Sequence, residues 1–170
     1  MRCKIDTKIE SDELCVRCLT TPMHYDIKKN KLKAITFLPP TNSTSVSLLR
    51  EKYTTKEFCE AHGRNLNIGK NSYIGLAFIT PELLSSALET YYSNYEDADI
   101  TAKIEGTPMD ENKVYRCDLD NIYSDDPGLP MHADLIYSKE NNPEAGEVKT
   151  HLRMIAQTIV DLISFELTQE

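Results

Sequence analysis

Apolar and polar positions change period several times along the chain, and each period predicts an element. Leu14-Cys15-Val16-Arg17-Cys18-Leu19 is rich in small apolar residues and predicts a strand closed by Thr21-Pro22. His24 to Ile27 continues extended, and Lys28-Lys29-Asn30-Lys31 turns. Leu32 to Leu38 resumes as a strand until Pro39-Pro40 stops it, since proline neither donates to a ladder nor lets its predecessor stay helical. Val46 to Leu49 is a short apolar strand. Thr54-Thr55-Lys56-Glu57 is a capping box and opens a helix that faces Phe58, Ala61 and Cys59 inward. Gly63 closes that helix as its C-terminal cap, with His62 favouring the negative end of the dipole.

The second half repeats the exercise with longer elements. Tyr73 to Ile79 is the most continuously apolar run and predicts a central strand. Thr80-Pro81-Glu82 starts a helix with a cap, a proline in the first turn and an acid at the dipole. Leu84, Leu88 and Tyr91 form its stripe, with Leu83 and Ala87 alongside. Ile100 to Glu105 and Lys113 to Leu119 alternate as strands. Leu129 to Tyr137 reads as extended, with His132 and Asp134 on one face and Met131, Ala133 and Leu135 on the other. After a polar stretch from Lys139 to Gly146, a helix is predicted from about Glu147 to Leu167, with Val148, Leu152, Ile155, Ile159 and Leu162 recurring at helical spacing. Ala156, Val160, Ile163 and Phe165 widen that face, enough to meet the sheet and a second surface, such as another subunit. No linker interrupts the order. Residues 1–170 therefore read as a single α+β domain, a mainly antiparallel sheet with about three helices on one side.

Composition narrows the function classes. A chain of 170 residues, 40% hydrophobic and 27% charged, is ordinary for a soluble domain with a proper core. A polar N-terminus and the lack of an apolar run of spanning length predict a cytoplasmic protein with no membrane association. The net charge of -8, from 27 acidic and 19 basic residues, argues against direct nucleic-acid binding. Lys28, Lys29, Lys31 and Lys33 form the one basic patch and read as a solvated turn and edge. The odd count of five cysteines predicts free thiols, and Cys15-x-x-Cys18 lacks the second pair that structural zinc requires. Asp118, Asp120, Asp125 and Asp126 make an acidic loop without the glycine and terminal glutamate of a calcium hand. Neither a cofactor nor a metal identity follows from these residues.

One echo carries chemistry: Pro-Met-His-x-Asp-aliphatic occurs at Pro22 to Ile27 and again at Pro130 to Leu135. Facing strands would gather His24, Asp26, His132 and Asp134, two imidazoles and two carboxylates suited to a divalent metal. Alternatively His132 would serve as general acid–base, oriented by a carboxylate. Arg17 and Arg50 would clamp a phosphate if they converge. The arrangement is similar to phosphoesterases with two His-x-Ser/Thr segments, although aspartate in the hydroxyl position repels phosphate unless a metal intervenes. The plainer assignment gives the histidines cross-strand hydrogen bonds and the aspartates turn ends.

A binding role needs less. An acidic compact domain with a broad final helix suits docking on a larger protein partner or a homo-oligomer, with Tyr91, Tyr92 and Tyr95 as candidate anchors. The landmarks Arg17, Asp26, Phe37 with Pro39, Ser47 with Arg50, and Pro130 with His132 and Ala133 lie in an order that resembles a small, sparsely characterised bacterial family with a late Pro-x-His-Ala segment. The resemblance spans roughly residues 14 to 165 and its pattern does not include His24. Members of that family are found near mobile-element and defence genes, so the resemblance implies an accessory component, in antiviral defence among other settings, and names no reaction. The expectation is a non-catalytic accessory or adaptor subunit, with a small hydrolase or phosphoesterase using the paired His-x-Asp segments as the alternative.

Overall fold

The computed structural model describes residues 5–66, 69–95, 100–116, 128–139 and 145–168. In chain order they form β1 (Cys15–Thr21), β2 (Tyr25–Asp26), β3 (Lys31–Leu32), β4 (Ser45–Arg50), α1 (Lys56–Asn65), β5 (Ser72–Ile79), α2 (Pro81–Asn94), β6 (Ile100–Gly106), β7 (His132–Lys139), α3 (Ala145–Leu162) and β8 (Ser164–Leu167). Six strands make one sheet in the order β6-β7-β4-β1-β5-β8, every neighbouring pair antiparallel, while β2 and β3 form a separate two-stranded ribbon. The predicted α+β class, antiparallel sheet, three helices and C-terminal helix are all present.

Strand alternation divides the core into two layers. Leu48, Ala77, Ile79, Ala133 and Leu135 face α2 and α3, which contribute Leu84, Ala87 and Tyr91, and Ile155, Ala156 and Ile159. Val16, Cys18, Leu49 and Leu76 face the other way, where α1 covers them with Cys59. Each such buried aliphatic contributes on the order of 2 kcal/mol through area removed from water. The helices therefore lie on both faces, not on one as the sequence suggests. Met131, expected beside Ala133, precedes the strand and packs with Leu49 and Cys59 on the α1 side.

Three boundaries differ for physical reasons. In α1, Thr55 caps by accepting from the Phe58 N–H, but Cys59 and Gly63 face the sheet, while Phe58 and Ala61 are exposed. Gly63 lies within the last turn of the helix, with Leu66 as the C-cap: a Cβ at Gly63 would lie 2.5 Å from the Tyr73 ring, so glycine lets the helix sit close on the sheet. Leu32 to Leu38 is a strand only over β3, and Ala34–Phe37 closes into a 3-10 turn. The last helix ends at Leu162, and Ser164–Leu167 joins the sheet as β8. Opposite Leu167 stands Gly75 at φ +157°, where a Cβ would fall 2.1 Å from the Glu166 carbonyl oxygen. Phe165 thus leaves the predicted helical face and tilts against Tyr25 with ring centroids 6.0 Å apart. The predicted strand from Lys113 begins in a turn, with Lys113 at φ +62° and only an isolated bridge from Tyr115 to Met109. Its end and the acidic loop Asp118 to Asp126 lie outside the described residues.

Candidate functional site

β7 and the end of β6 place a short chain of hydrogen bonds on the sheet face opposite α2 and α3. Buried His132 opens β7, and its Nδ1 lies 2.8 Å from Thr107 Oγ1 and 3.1 Å from the Thr107 carbonyl. A carbonyl only accepts, so Nδ1 carries the proton and Nε2 the lone pair. Thr107 Oγ1 donates onward to Asp134 Oδ2 at 2.9 Å. Burial holds this imidazole below its ordinary pKa, against the upward pull of the Asp134 carboxylate and the Thr107 carbonyl. A neutral imidazole oriented by a threonine–aspartate chain has the form of a general base.

The first half of the echo is built differently. His24 lies in the turn between β1 and β2 rather than on a strand. Its Nδ1 accepts from the Thr20 N–H at 3.1 Å and meets Thr20 Oγ1 at 3.3 Å, so the proton sits on Nε2, the opposite tautomer to His132. Its carbonyl accepts from the Lys33 N–H and from Thr36 Oγ1. Burial, then the Arg17 charge, pushes the His24 pKa down to about 4. Asp26 Oδ1 accepts from the Lys29 N–H at 3.1 Å and shapes the turn.

These two segments do not face one another. Val16, Leu49 and His132 lie in one row across β1, β4 and β7, whereas His24 is tied to Thr20, four residues further along β1. Four strand residues span about 13 Å. The imidazole that His132 does influence is His62 of α1, whose pKa is lowered by burial, then by His132 and Lys113. His62 does stand in the last turn of α1, as expected from the dipole, although burial holds its pKa below the ordinary value. Among the described residues no three of histidine, cysteine, aspartate and glutamate group to hold a metal ion.

The two arginines do not converge either. Arg50 is fully buried and pairs with Glu13 through Nε–Oε1 at 2.5 Å and Nη2–Oε2 at 2.9 Å. It also donates to the Asp6 and Lys8 carbonyls and lies over the Tyr53 ring at 4.6 Å. That guanidinium is occupied, so Arg50 is a clamp on the segment before β1 and not a phosphate ligand. Arg17 donates from Nη1 to the Ser47 carbonyl at 2.9 Å.

Of the tyrosines, Tyr91 is only 2% exposed and bonds His151 Nδ1, so it belongs to the core rather than to a partner surface. Tyr92 is partly exposed but commits its hydroxyl to the Ile100 carbonyl at 2.7 Å, while Tyr95 stays at the surface. Cys15, Cys18 and Cys59 are unpaired buried thiols. Cys15 and Cys18 face opposite sides of the sheet, and burial first raises their pKa values to about 12 and about 11, far from thiolate chemistry.

Among the described residues β8 is an open edge, and this is the feature the sequence reading missed. All four β8 residues are exposed. The Thr168 N–H donates to the Ile74 carbonyl at 2.8 Å, and Leu167 stands opposite Gly75 in the same register. Antiparallel alternation then turns the backbone groups of Phe165 and Leu167 away from β5, toward the free edge. Next to β8 a cleft of about 310 Å³ opens between α1 and the sheet, lined by Val16, Cys59, Leu76 and Phe78 together with Glu51, Lys56 and Glu166. Lys56 and Glu166 pair there. No protein-family model matches the chain, and neither does any curated protein or solved structure.

Proposed function

We propose that this protein is a non-catalytic accessory subunit that docks on a larger protein partner by accepting a strand at β8. The observation that carries this reading is the β8 edge, open among the described residues, next to that cleft. In strand addition, main-chain hydrogen bonds supply affinity and pockets for alternate side chains supply specificity. Phe165 and Leu167 offer the unpaired backbone groups, and the cleft offers the pocket. The bacterial-family resemblance, with its accessory components of mobile-element and defence systems, agrees with such a role. The alternative, a small hydrolase on paired His-x-Asp segments, has the Thr107–His132–Asp134 chain in its favour, but His24, the imidazole of the other segment, is tied to Thr20 instead.

Proline at Leu167 tests the docking reading, because it removes a donor that points to the free edge and leaves the β5–β8 ladder its own bonds. Affinity purification of the tagged full chain from its native host, with mass spectrometry, should recover a stoichiometric partner with the unmodified chain and with Leu167→Ala. Leu167→Pro should lose it while melting within a few degrees of the parent. Equal recovery with proline, or a chain that emerges alone as a monomer, would end this reading.

A further inference from the structure

Arg17 sits where two strands part. β1 and β4 pair only through Cys15–Arg50 and Val16–Leu49, and beyond that row the Ser47 carbonyl accepts from Arg17 Nη1 instead of from a strand N–H. Its Nε is buried and meets no acceptor, and no carboxylate among the described residues lies within ion-pair distance of the guanidinium. The residue as a whole is only half-buried, and Nη1 reaches the carbonyl of Ser47, an exposed residue, so the Nη end lies toward the surface. Arginine remains a cation at neutral pH. A partly desolvated cation without a counter-charge is unfavourable, and an anion at its open end would offset that cost.

We propose that Arg17 is the recognition residue of an oxyanion site at the parting of β1 and β4, taking a carboxylate or phosphate group on its Nη end. The planar fork suits both. The site lies between interior strands and so stands independently of docking at the outer strand β8. It also explains why a chain of net charge -8 keeps a cation there with, among the described residues, one carbonyl as partner.

The test uses the full chain in chloride buffer, with sodium phosphate or sodium acetate added at matched ionic strength. Backbone amide shifts of Cys18 and Ser47 and the melting temperature should saturate with one or both anions. Saturation by phosphate alone assigns a phosphate site, and saturation by acetate alone or by both assigns a carboxylate or a general oxyanion site. Arg17→Lys keeps the charge without the fork and should bind at least about tenfold more weakly, as expected for a lost charge-assisted hydrogen bond. Arg17→Met should show no saturation and should melt at or above the parent when no oxyanion is present. As a further readout, oxyanion binding should raise the His24 titration in the parent chain, since Arg17 is one of the two causes that depress it. No saturable response to either anion, or the same response in Arg17→Met, would overturn the site. Should Arg17→Met not fold, the parent titration and Arg17→Lys decide alone.

Discussion

The two outer strands of the sheet are built to opposite ends. β6 carries a Lys103–Glu105 ion pair at 2.9 Å, and its Gly106 N–H donates to the Thr7 carbonyl at 2.8 Å. The segment that includes Thr7 is held in turn by Arg50, through the Asp6 and Lys8 carbonyls and Glu13. β8 has one charged side chain, already paired with Lys56, and leaves Phe165 and Leu167 at 38% and 40% exposure with no described segment laid along its outer side. Charge and cover are the usual defences of an edge against added strands. One edge has both, while the other has a single charged side chain and no described cover, and the proposed docking at β8 rests on that contrast.

Breaking the guarded edge gives the largest expected effect. Arg50→Ala leaves Glu13, buried with it, without its cation, and loss of one partner of a buried pair costs roughly 3–5 kcal/mol. Urea unfolding should register that loss, and hydrogen exchange should show the residues before β1 and the Gly106 end of β6 opening ahead of β5. A change below about 1 kcal/mol would mean that Arg50 is not what holds the guard in place.

Acid should separate the two edges next. His24 is neutral when folded, with a pKa of about 4 against an ordinary 6.5, so its contribution is complete above pH 6.5 and is lost as pH falls from 6.5 toward 4. The ceiling is about 3 kcal/mol at 1.36 kcal/mol per pKa unit. The turn that holds His24 leads into Tyr25, which packs against Phe165, so exchange at β8 should rise before exchange at β6 as the solution is acidified. His132, nearer β6, has the Asp134 carboxylate and the Thr107 carbonyl pulling its pKa back up. His24→Gln should flatten the stability profile between pH 6.5 and 4. An unchanged profile, or earlier exchange at β6, would refute the link between this turn and the free edge.

Periodicity made most of this architecture legible. β1, β4, β5 and β6 stand within a residue or two of where apolar spacing puts them, β7 begins three residues later than expected, and Thr80 caps α2 by accepting from the Leu83 N–H at 3.1 Å. Functional geometry was far less legible. His24 and His132 share a motif but take opposite tautomers, because Thr20 donates to one ring while the Thr107 carbonyl accepts from the other. Nothing local to either motif distinguishes those environments. Glu13, Thr107 and His62 matter through partners 37, 25 and about 70 positions away, a range that spacing rules do not cover. β8 did leave a signal: Ser164-Phe165-Glu166-Leu167 alternates polar and apolar, but it follows a helical stripe whose period absorbs Phe165. The deciding residue, Gly75, lies nearly ninety positions earlier.

That glycine offers the finest cut between the edges. In Gly75→Ala the new Cβ would meet the Glu166 carbonyl oxygen at 2.1 Å and the backbone would be strained at φ +157°, so β5 can relax only by releasing β8. Little apolar area depends on four exposed residues, and the global loss should be about 1 kcal/mol, the smallest of the three. The consequence is instead local. Protection of the Thr168 amide, which donates to Ile74, should vanish while the ladder between β6 and β7 keeps its protection, and partner recovery should fall as it does with Leu167→Pro. A Thr168 amide that stays protected in Gly75→Ala would show that β8 is held by something other than close backbone approach.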